Sequence, residues 1–310
     1  MSNTKHLISI IGPTAIGKTS LAIALSKKYG APILSSDSRQ FYREMYIGTA
    51  VPSKEELAAA PHFFIQHKSI QDPYSVGDFE REAMGFLKNH YLTNDIAIMV
   101  GGSGLYTDAV CKGLDKFPEV PDQIRTDLNE ALINNGLETL TNKLKDLDPK
   151  AFEQIAVDNP VRVIRALEVC LASGKPYSSY LNQHKDKRPF KVHYLNITAP
   201  RETIYERINQ RVDLMIKNGL EEEVRGLLDR KKLNALNTVG YKELFRCIEG
   251  EISLETAIEE IKKNSRRFAK RQLTWNRKNT EAIVVNYKKA IEDSMTYLNK
   301  AIPTSKDLNS

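Results

Sequence analysis

Residues 12–19 read Gly12-Pro13-Thr14-Ala15-Ile16-Gly17-Lys18-Thr19, which matches the P-loop pattern G-x-x-x-x-G-K-[ST]. The apolar run before it, residues 7–11, predicts a buried parallel strand, and the helical spacing of apolar residues after it predicts a helix. Glycines permit the tight turn in which successive N–H groups face one anion, and the helix N-terminus adds partial positive charge. Lys18 adds a full charge, and Thr19 offers a hydroxyl to Mg²⁺. We therefore predict a phosphate or diphosphate site, with a chance glycine-rich turn as the alternative.

The composition is that of an ordinary globular protein. The chain has 310 residues and a formal net charge of +6, so it can form one large domain or two smaller ones, with a mild basic excess. Its three cysteines, Cys111, Cys170 and Cys247, are scattered, which disfavours a disulfide framework or a zinc site. The sequence shows neither a signal peptide nor a membrane-spanning apolar run. We expect a cytoplasmic monomer that does not contact a membrane.

A second strand is predicted at residues 31–36, and it ends at Asp37-Ser38-Arg39-Gln40. Because ligands of open parallel sheets bind beyond the carboxyl ends of the strands, Asp37 is predicted to lie beside the P-loop. The alternative is an aspartate that caps a helix or closes a turn.

A third parallel strand is predicted at residues 95–100, followed by the glycine-rich stretch 101–106. A P-loop NTPase usually places a Mg²⁺-holding aspartate where such a strand ends, but here two glycines follow. A motor or switch ATPase is therefore disfavoured. A small-molecule kinase and a transferase that uses a diphosphate substrate both remain open.

The pattern becomes helical from about Phe117, after which Pro118 and Pro121 mark a break. We predict an α/β fold: a P-loop NTPase-like parallel sheet flanked by helices, with an all-helical insertion domain at 116–189. Residues 1–115 and 190–310 would form the two parts of the core. Arg162 and Arg165 lie on one face of a helix in the insertion. They are either contact residues or part of a solvated basic face.

Residues 262–278 contain eight Lys or Arg, no Asp or Glu, and the single tryptophan, Trp275. A basic helix with aromatic residues suits a phosphate backbone and stacking on a base, whereas the alternative is a solvated run of charge. Arg207 and Arg211 lie one helical turn apart in a helix predicted at 201–218. Taken together, these features indicate a transferase that joins a phosphorylated small molecule to a nucleic acid.

The sequence resembles the bacterial tRNA dimethylallyltransferase family over nearly its whole length. Seven motifs in the same order carry this resemblance: Gly12-Pro13-Thr14-Ala15-Ile16-Gly17-Lys18-Thr19, Asp37-Ser38-Arg39-Gln40, Ile47-Gly48-Thr49-Ala50, Gly101-Gly102-Ser103-Gly104-Leu105-Tyr106, Arg162-Val163-Ile164-Arg165-Ala166-Leu167-Glu168-Val169, Val239-Gly240-Tyr241-Lys242-Glu243, and Lys270-Arg271-Gln272-Leu273-Thr274-Trp275-Asn276-Arg277. A P-loop alone occurs in many families, whereas this ordered set is specific.

The resemblance implies transfer of a dimethylallyl group from dimethylallyl diphosphate to N6 of the adenosine just 3′ of the tRNA anticodon, with release of diphosphate. Residues 12–19, Arg211 and Arg207 would bind the diphosphate, with Mg²⁺ on Thr19. Asp37 would accept the proton of the amine, and Lys18, Thr19 and Arg211 would stabilise the departing charge.

The acceptor implied is the anticodon stem-loop of tRNA, whose target base must be flipped out of its stack. The residues that correspond to the family's tRNA contacts are Asp37, Ser38, Arg39, Gln40, Ser103, Arg125, Val161, Arg162, Val163, Ile164, Arg165, Lys270, Arg271, Gln272, Trp275 and Arg277.

Three rival functions stay in view. An adenylate prenyltransferase would act on free nucleotides and would need neither the insertion nor the basic helix. A P-loop small-molecule kinase would turn over ATP and have no affinity for RNA. A non-catalytic RNA-binding protein would not need the intact Lys18, Thr19 and Asp37.

Overall fold

The structure, a computed structural model, describes residues 4–183 and 187–302. In this part of the chain six strands and twelve α-helices form, together with short 3-10 turns. The strands are β1 (His6–Ile11), β2 (Ile33–Ser35), β3 (His62–Phe63), β4 (Ile96–Val100), β5 (Lys191–Thr198) and β6 (Ile283–Asn286). The helices are α1 (Lys18–Tyr29), α2 (Lys54–Ala59), α3 (Val76–His90), α4 (Gly104–Lys112), α5 (Asp122–Leu147), α6 (Pro149–Gln154), α7 (Pro160–Ser173), α8 (Arg201–Lys217), α9 (Leu220–Arg225), α10 (Tyr241–Ile248), α11 (Leu254–Asn276) and α12 (Ala290–Ala301).

The six strands form one parallel sheet in the order β3-β2-β4-β1-β5-β6. β1 lies in the interior of the sheet, and every one of its residues is buried, as expected of a parallel strand covered on both faces. The predicted parallel sheet is therefore confirmed. One detail was wrong: the strand predicted as the third is the fourth along the chain, because the two-residue edge strand β3 is too short to show a periodicity.

Helices pack on both faces of this sheet. Ile8 and Ile10 of β1 point into one layer with α1, α8 and α12, while Leu7 points into the other layer with α3 and α4. This alternation follows from the two-residue period of a strand.

The order of the strands brings three loops to one edge. β4 lies between β1 and β2, so the loops that follow these three strands emerge side by side. Backbone hydrogen bonds join their first residues: Ser36 N–H donates to Val100 O at 2.8 Å, and Gly101 N–H donates to Ile10 O at 3.4 Å. The P-loop sequence, Asp37 and the second glycine-rich loop therefore meet, as predicted from the strand ends.

The chain divides into two compact units, one that runs up to Cys111 and resumes at Arg188, and one formed by Lys112–Lys187. The predicted insertion, 116–189, begins four residues later and ends two residues later than this second unit. Among its described residues the regular elements are helices, packed around a core that includes Leu128, Leu144, Val163 and Leu167.

Residues 303–310, which belong to the predicted second part of the core, lie outside the described residues. None of the helices in the described part is long and apolar enough to cross a membrane.

Candidate active site

The P-loop sequence forms the turn between β1 and α1. Gly12 has φ 148°, and a Cβ at this position would lie 2.8 Å from the carbonyl oxygen of Ile197 on β5. Gly17 precedes α1 with φ 100°. Both positions favour glycine, the first also because the loop passes close to a neighbouring strand. The loop thereby presents the N-terminus of α1, which attracts anions, to the carboxyl edge of the sheet.

Lys18 folds back over this loop. Its ammonium donates hydrogen bonds to the carbonyl oxygens of Gly12, at 3.0 Å, and Pro13, at 2.7 Å. Burial lowers the pKa of Lys18 to about 8; the carboxylate of Asp37 opposes this shift, and the guanidinium of Arg211 adds to it. Because a charged lysine is costly in such a place, an anionic ligand would relieve an unfavourable concentration of positive charge.

The two predicted arginines of α8 both reach the P-loop. Arg211 Nη1 donates to Thr14 Oγ1 at 3.0 Å, and Arg207 Nε donates to Ala15 O at 2.7 Å. Burial lowers the pKa of Arg211, with Asp37 acting in the opposite direction. The structure therefore brings Lys18, Arg207 and Arg211 around one loop, although they come from positions nearly 200 residues apart.

Asp37 lies two residues beyond β2 and lines the same cleft as Thr14 and Arg211. Its Oδ1 accepts a hydrogen bond from Arg39 N–H at 3.1 Å, so the residue also closes a turn. Ser38 donates from its N–H to Ser103 Oγ at 3.1 Å, and the two hydroxyls lie 3.1 Å apart. The predicted carboxylate and the predicted serines of two loops thus share one wall.

The side chains of Arg39 and Gln40, both predicted to contact RNA, form hydrogen bonds within the protein. The Arg39 guanidinium donates to the carbonyl oxygens of Asn234, at 3.1 Å, and Ala235, at 2.8 Å. The Gln40 amide donates to Ala50 O at 2.9 Å. These side chains shape the cleft by holding backbone segments, and their contact with RNA stays a prediction.

Gln272 of α11 joins the two glycine-rich loops. Its Oε1 accepts from Thr14 N–H at 2.8 Å, and its Nε2 donates to Gly102 O at 2.9 Å. The basic helix is therefore attached directly to the P-loop, which sequence periodicity could not indicate.

Trp275 lies one turn further along α11 and is held from two sides. Its Nε1 donates to Asp108 Oδ2 at 2.9 Å. The indole also covers Gly104 so closely that a Cβ there would lie 2.4 Å from Trp275 Cδ1. With 38% of its surface exposed, the ring stays accessible at the cleft.

These groups surround one cleft of about 520 Å³. Its polar lining comes from the loops after β1, β2 and β4 and from α8 and α11, and includes Thr14, Asp37, Ser38, Ser103, Arg211, Arg271 and Gln272. Its apolar lining was not predicted, and includes Ile208, Val212, Met215, Leu220, Val239, Ile261 and Phe268. The cleft can therefore hold an anionic group at one end and an apolar group against α8.

Glu223 is a further residue that the sequence did not single out. Its carboxylate accepts from the N–H groups of Tyr46, Ile47 and Gly48 at 3.0, 2.6 and 3.0 Å, and from Tyr241 OH at 2.6 Å. It thereby joins the segment at 47–50 to α10. In the sequence Glu223 ends a run of three glutamates, and nothing distinguishes it from the other two.

The basic stretch of α11 is only partly free. Lys270, Arg271 and Arg277 are exposed, as predicted for contact residues. The absence of Asp and Glu within 262–278 does not leave every cation unpaired, because Lys262 Nζ pairs with Asp213 on α8 at 2.8 Å and with Glu259 at 3.1 Å. The stretch itself contains no acid, but neighbouring segments supply two.

In the helical unit, the buried carboxylate of Glu168 holds two of the predicted arginines. Arg125 donates to both of its oxygens, and Arg165 Nη1 donates to Oε2 at 3.3 Å. Arg165 also lies over the ring of Phe117, 5.0 Å from the ring centroid. Arg162 is exposed and 75% of Val161 is exposed, so both offer surface.

The expectation that Val163 and Ile164 contact RNA requires a correction. Both side chains are buried in the core of the helical unit, because they occupy the face of α7 opposite the exposed residues 161 and 162. Their side chains form part of the core of the helical unit and offer no exposed surface to RNA.

Fold and site together define a P-loop NTPase-like α/β protein whose cleft suits an anionic, partly apolar ligand. The IPP transferase family matches residues 40–279. The tRNA dimethylallyltransferase of Christiangramia forsetii is 56% identical over 98% of this chain and 100% of its own, and that of Flavobacterium psychrophilum is 53% identical over 91% and 94%. The crystal structure of the tRNA isopentenylpyrophosphate transferase from Bacillus halodurans has a TM-score of 0.72 and 33% identity, with 99% of both chains covered.

The chain therefore belongs to the tRNA dimethylallyltransferase family, a family of prenyltransferases. This finding confirms the resemblance carried by the seven motifs. It also disfavours the kinase and the non-catalytic RNA-binding protein.

Proposed function

We propose that this chain transfers the dimethylallyl group of dimethylallyl diphosphate to N6 of the adenosine 3′-adjacent to the tRNA anticodon, giving N6-isopentenyladenosine and diphosphate. The names of its relatives support this acceptor and this group. The observation that carries the proposal is the single cleft that joins Thr14 and Arg211 to Asp37 and to the exposed basic face of α11.

The cationic end of the cleft suits the leaving group. As the bond between C1 of the donor and the diphosphate oxygen breaks, its electron pair goes to the diphosphate, which gains negative charge. Lys18, Arg207, Arg211 and the loop N–H groups are already gathered there, so they stabilise the transition state more than the ground state. Lys18 would exchange its present carbonyl acceptors for phosphate oxygens.

The donor set also fits Mg²⁺. This ion prefers oxygen ligands, keeps several waters, and usually binds through one or two protein oxygens together with substrate phosphates. Thr19 at the start of α1 offers such a hydroxyl. Among the described residues no group of three or more His, Cys, Asp and Glu could hold a metal, so the ion would enter with the diphosphate. When bound, Mg²⁺ would neutralise part of the leaving group's charge.

Asp37 is proposed as the base at the acceptor side. The N6 amine forms its new bond to C1 of the donor and must lose a proton, which the Asp37 carboxylate can accept. Ser38 and Ser103 lie on the same wall and can hydrogen-bond the edge of a base. The adenine must leave its stack in the anticodon loop to enter this cleft.

Further contacts to tRNA are proposed for the exposed residues of α11 and, in the helical unit, for Arg125, Arg162 and Arg165. We also propose that the enzyme acts in the cytoplasm, since its three cysteines are scattered along the chain without the spacing of a disulfide framework. We further propose that it acts as a monomer.

The test is transfer of label from dimethylallyl diphosphate to unmodified tRNA with Mg²⁺, beside reactions with AMP as acceptor and with ATP alone. We expect label on tRNA only. Label on AMP would favour the adenylate prenyltransferase. Consumption of ATP without transfer of label would overturn the proposal.

A further inference from the structure

The cleft has an apolar lining whose effect on the choice of donor none of the roles above specifies. On α8 the residues Ile208, Arg211, Val212 and Met215 line it, at positions i, i+3, i+4 and i+7 on one side of the helix. Met215 lies one turn beyond Arg211, which corresponds to a rise of about 6 Å along the axis. An apolar chain attached to a diphosphate at Arg211 would therefore run along this turn of α8 towards Met215.

Gly48, Leu220 and Tyr241 form a packed wall beside Met215. Gly48 and Leu220 line the cleft, and Met215 packs against the apolar cluster that contains Leu220 and Tyr241. A Cβ on Gly48 would lie 2.6 Å from Tyr241 Cε2 and 2.9 Å from Leu220 Cδ1. The wall is thus already packed to contact distance.

Hydrogen bonds hold this wall in place. The Glu223 carboxylate accepts from the N–H of Gly48 at 3.0 Å and from Tyr241 OH at 2.6 Å, so two of its three members share one anchor. Leu220 is fully buried. In contrast, Met215 is only partly buried and has a flexible, unbranched side chain. Met215 is therefore a flexible side chain beside a rigid wall.

We propose that Met215, backed by the wall of Gly48, Leu220 and Tyr241, limits the donor to a prenyl chain of one isoprene unit. This inference rests on the proposed function and adds the residues that set donor length. A five-carbon chain fits within the helical turn between Arg211 and Met215. A ten-carbon chain would have to pass the Met215 side chain and meet the wall, where packing is already tight.

The test compares dimethylallyl diphosphate with geranyl diphosphate as donors to the same tRNA, in the wild type and in Met215→Ala. We expect the ratio of kcat/KM for geranyl to that for dimethylallyl to rise at least tenfold in the variant, because the truncation opens space at the end of the chain. Leu214→Ala is the matched control. Its side chain is the next along α8 but 55% exposed and outside the cleft, so the ratio should stay that of the wild type.

A second variant probes the wall from the opposite direction. Gly48→Ala places a methyl group against Tyr241 and Leu220, and should lower kcat/KM for both donors while the Kd for tRNA stays within about twofold. If circular dichroism shows Met215→Ala to be unfolded, Met215→Val, which removes less volume, takes its place with the same expectation in direction.

The outcomes distinguish failure of the proposed function from failure of the inference about donor length. Absence of transfer by the wild type would reject the proposed function itself. A wild type that transfers dimethylallyl, with a donor ratio unchanged by Met215→Ala, would overturn the inference alone. So would a variant that raises the KM for tRNA without changing the donor ratio, because the apolar end would then serve the acceptor base.

Discussion

Asp37 is placed by the end of β2, and its position relative to the P-loop comes from the sheet. Its carboxylate shares the cleft with Thr14 and Arg211 and interacts electrostatically with Arg211. We predict that Asp37→Ala lowers the rate of transfer by about 10²–10⁴-fold, the usual contribution of a general base, while tRNA binding is largely retained. Single-turnover transfer and a filter-binding Kd measure the two effects.

The control for this variant is Asp229→Ala, which removes an exposed aspartate outside the cleft and should leave both quantities unchanged. Wild-type turnover in Asp37→Ala would remove Asp37 as the base. A parallel loss of tRNA affinity would assign it to binding instead.

The ionisation of Lys18 predicts a pH dependence of kcat/KM for the donor. Burial lowers the pKa of Lys18 to about 8, so the free enzyme loses this positive charge as the pH rises through about 8. Since kcat/KM reports the ionisation of the free enzyme, kcat/KM for dimethylallyl diphosphate should fall above pH 8. A bound diphosphate favours the charged lysine, so kcat at saturating donor should fall only at higher pH. Lys18→Arg, whose charge persists, should move the fall in kcat/KM to higher pH, and an unmoved profile would contradict the assignment.

The helix α11 combines two functions on two faces. Its buried residues, among them Ile261, Ala269 and Gln272, attach it to the core and to the P-loop, while Lys270 and Arg271, and Arg277 just after the helix, are exposed. This division follows from the helical period. The helix can therefore bind a polyanion while it stays rigidly joined to the site of chemistry.

We predict that Arg271→Ala weakens tRNA binding and makes its salt dependence shallower. Each phosphate contact contributes roughly 0.7–0.9 to the slope of log Kobs against log salt, so the slope should fall by about that amount. Binding titrations at several salt concentrations measure it.

Lys262→Ala is the matched control, because this lysine lies in the same basic stretch but pairs with Asp213 and Glu259. Its removal should leave the slope unchanged. Equal slopes for Arg271→Ala and the wild type would argue that the outward face of α11 is a solvated surface.

On the scale of the whole molecule, a buried histidine pair connects distant parts of the core. His6 Nδ1 on β1 lies 2.9 Å from His193 Nε2 on β5, and His193 Nδ1 lies 3.1 Å from Tyr297 OH on α12. Burial lowers the pKa of His193 to about 4 from an ordinary value of 6.5, and the neighbouring His6 and Lys191 add to the shift.

This shift predicts a loss of stability in acid. Between pH 6.5 and 4 the unfolded chain binds a proton at His193 that the folded chain does not, so the free energy of unfolding falls as the pH falls. At 1.36 kcal/mol per pKa unit the loss is on the order of 3 kcal/mol at pH 4. Urea denaturation over this range should show a steeper decline for the wild type than for His193→Gln. Equal declines would contradict the prediction.

Much of the fold and site could be predicted from local sequence. The P-loop sequence, the apolar strands and the helical periodicities each depend on neighbouring residues, so β1, β2 and β4 were all recognisable. Asp37 was placed at the site by a general rule about the ends of parallel strands. The two-residue strand β3 and the apolar end of the cleft were not predicted, since neither produces a local pattern.

The sequence by itself determined the parallel sheet, the anion-binding loop and the family, because periodicity and motif order are properties of adjacent residues. Only the tertiary structure decided which charged and polar residues are free to bind a ligand. Arg39 holds backbone carbonyls, Lys262 has two acidic partners, and Gln272 joins two loops, although each looks like a contact residue in the sequence. The physical reason is that a side chain's hydrogen-bond partners come from segments distant along the chain, which are brought together only when the sheet assembles.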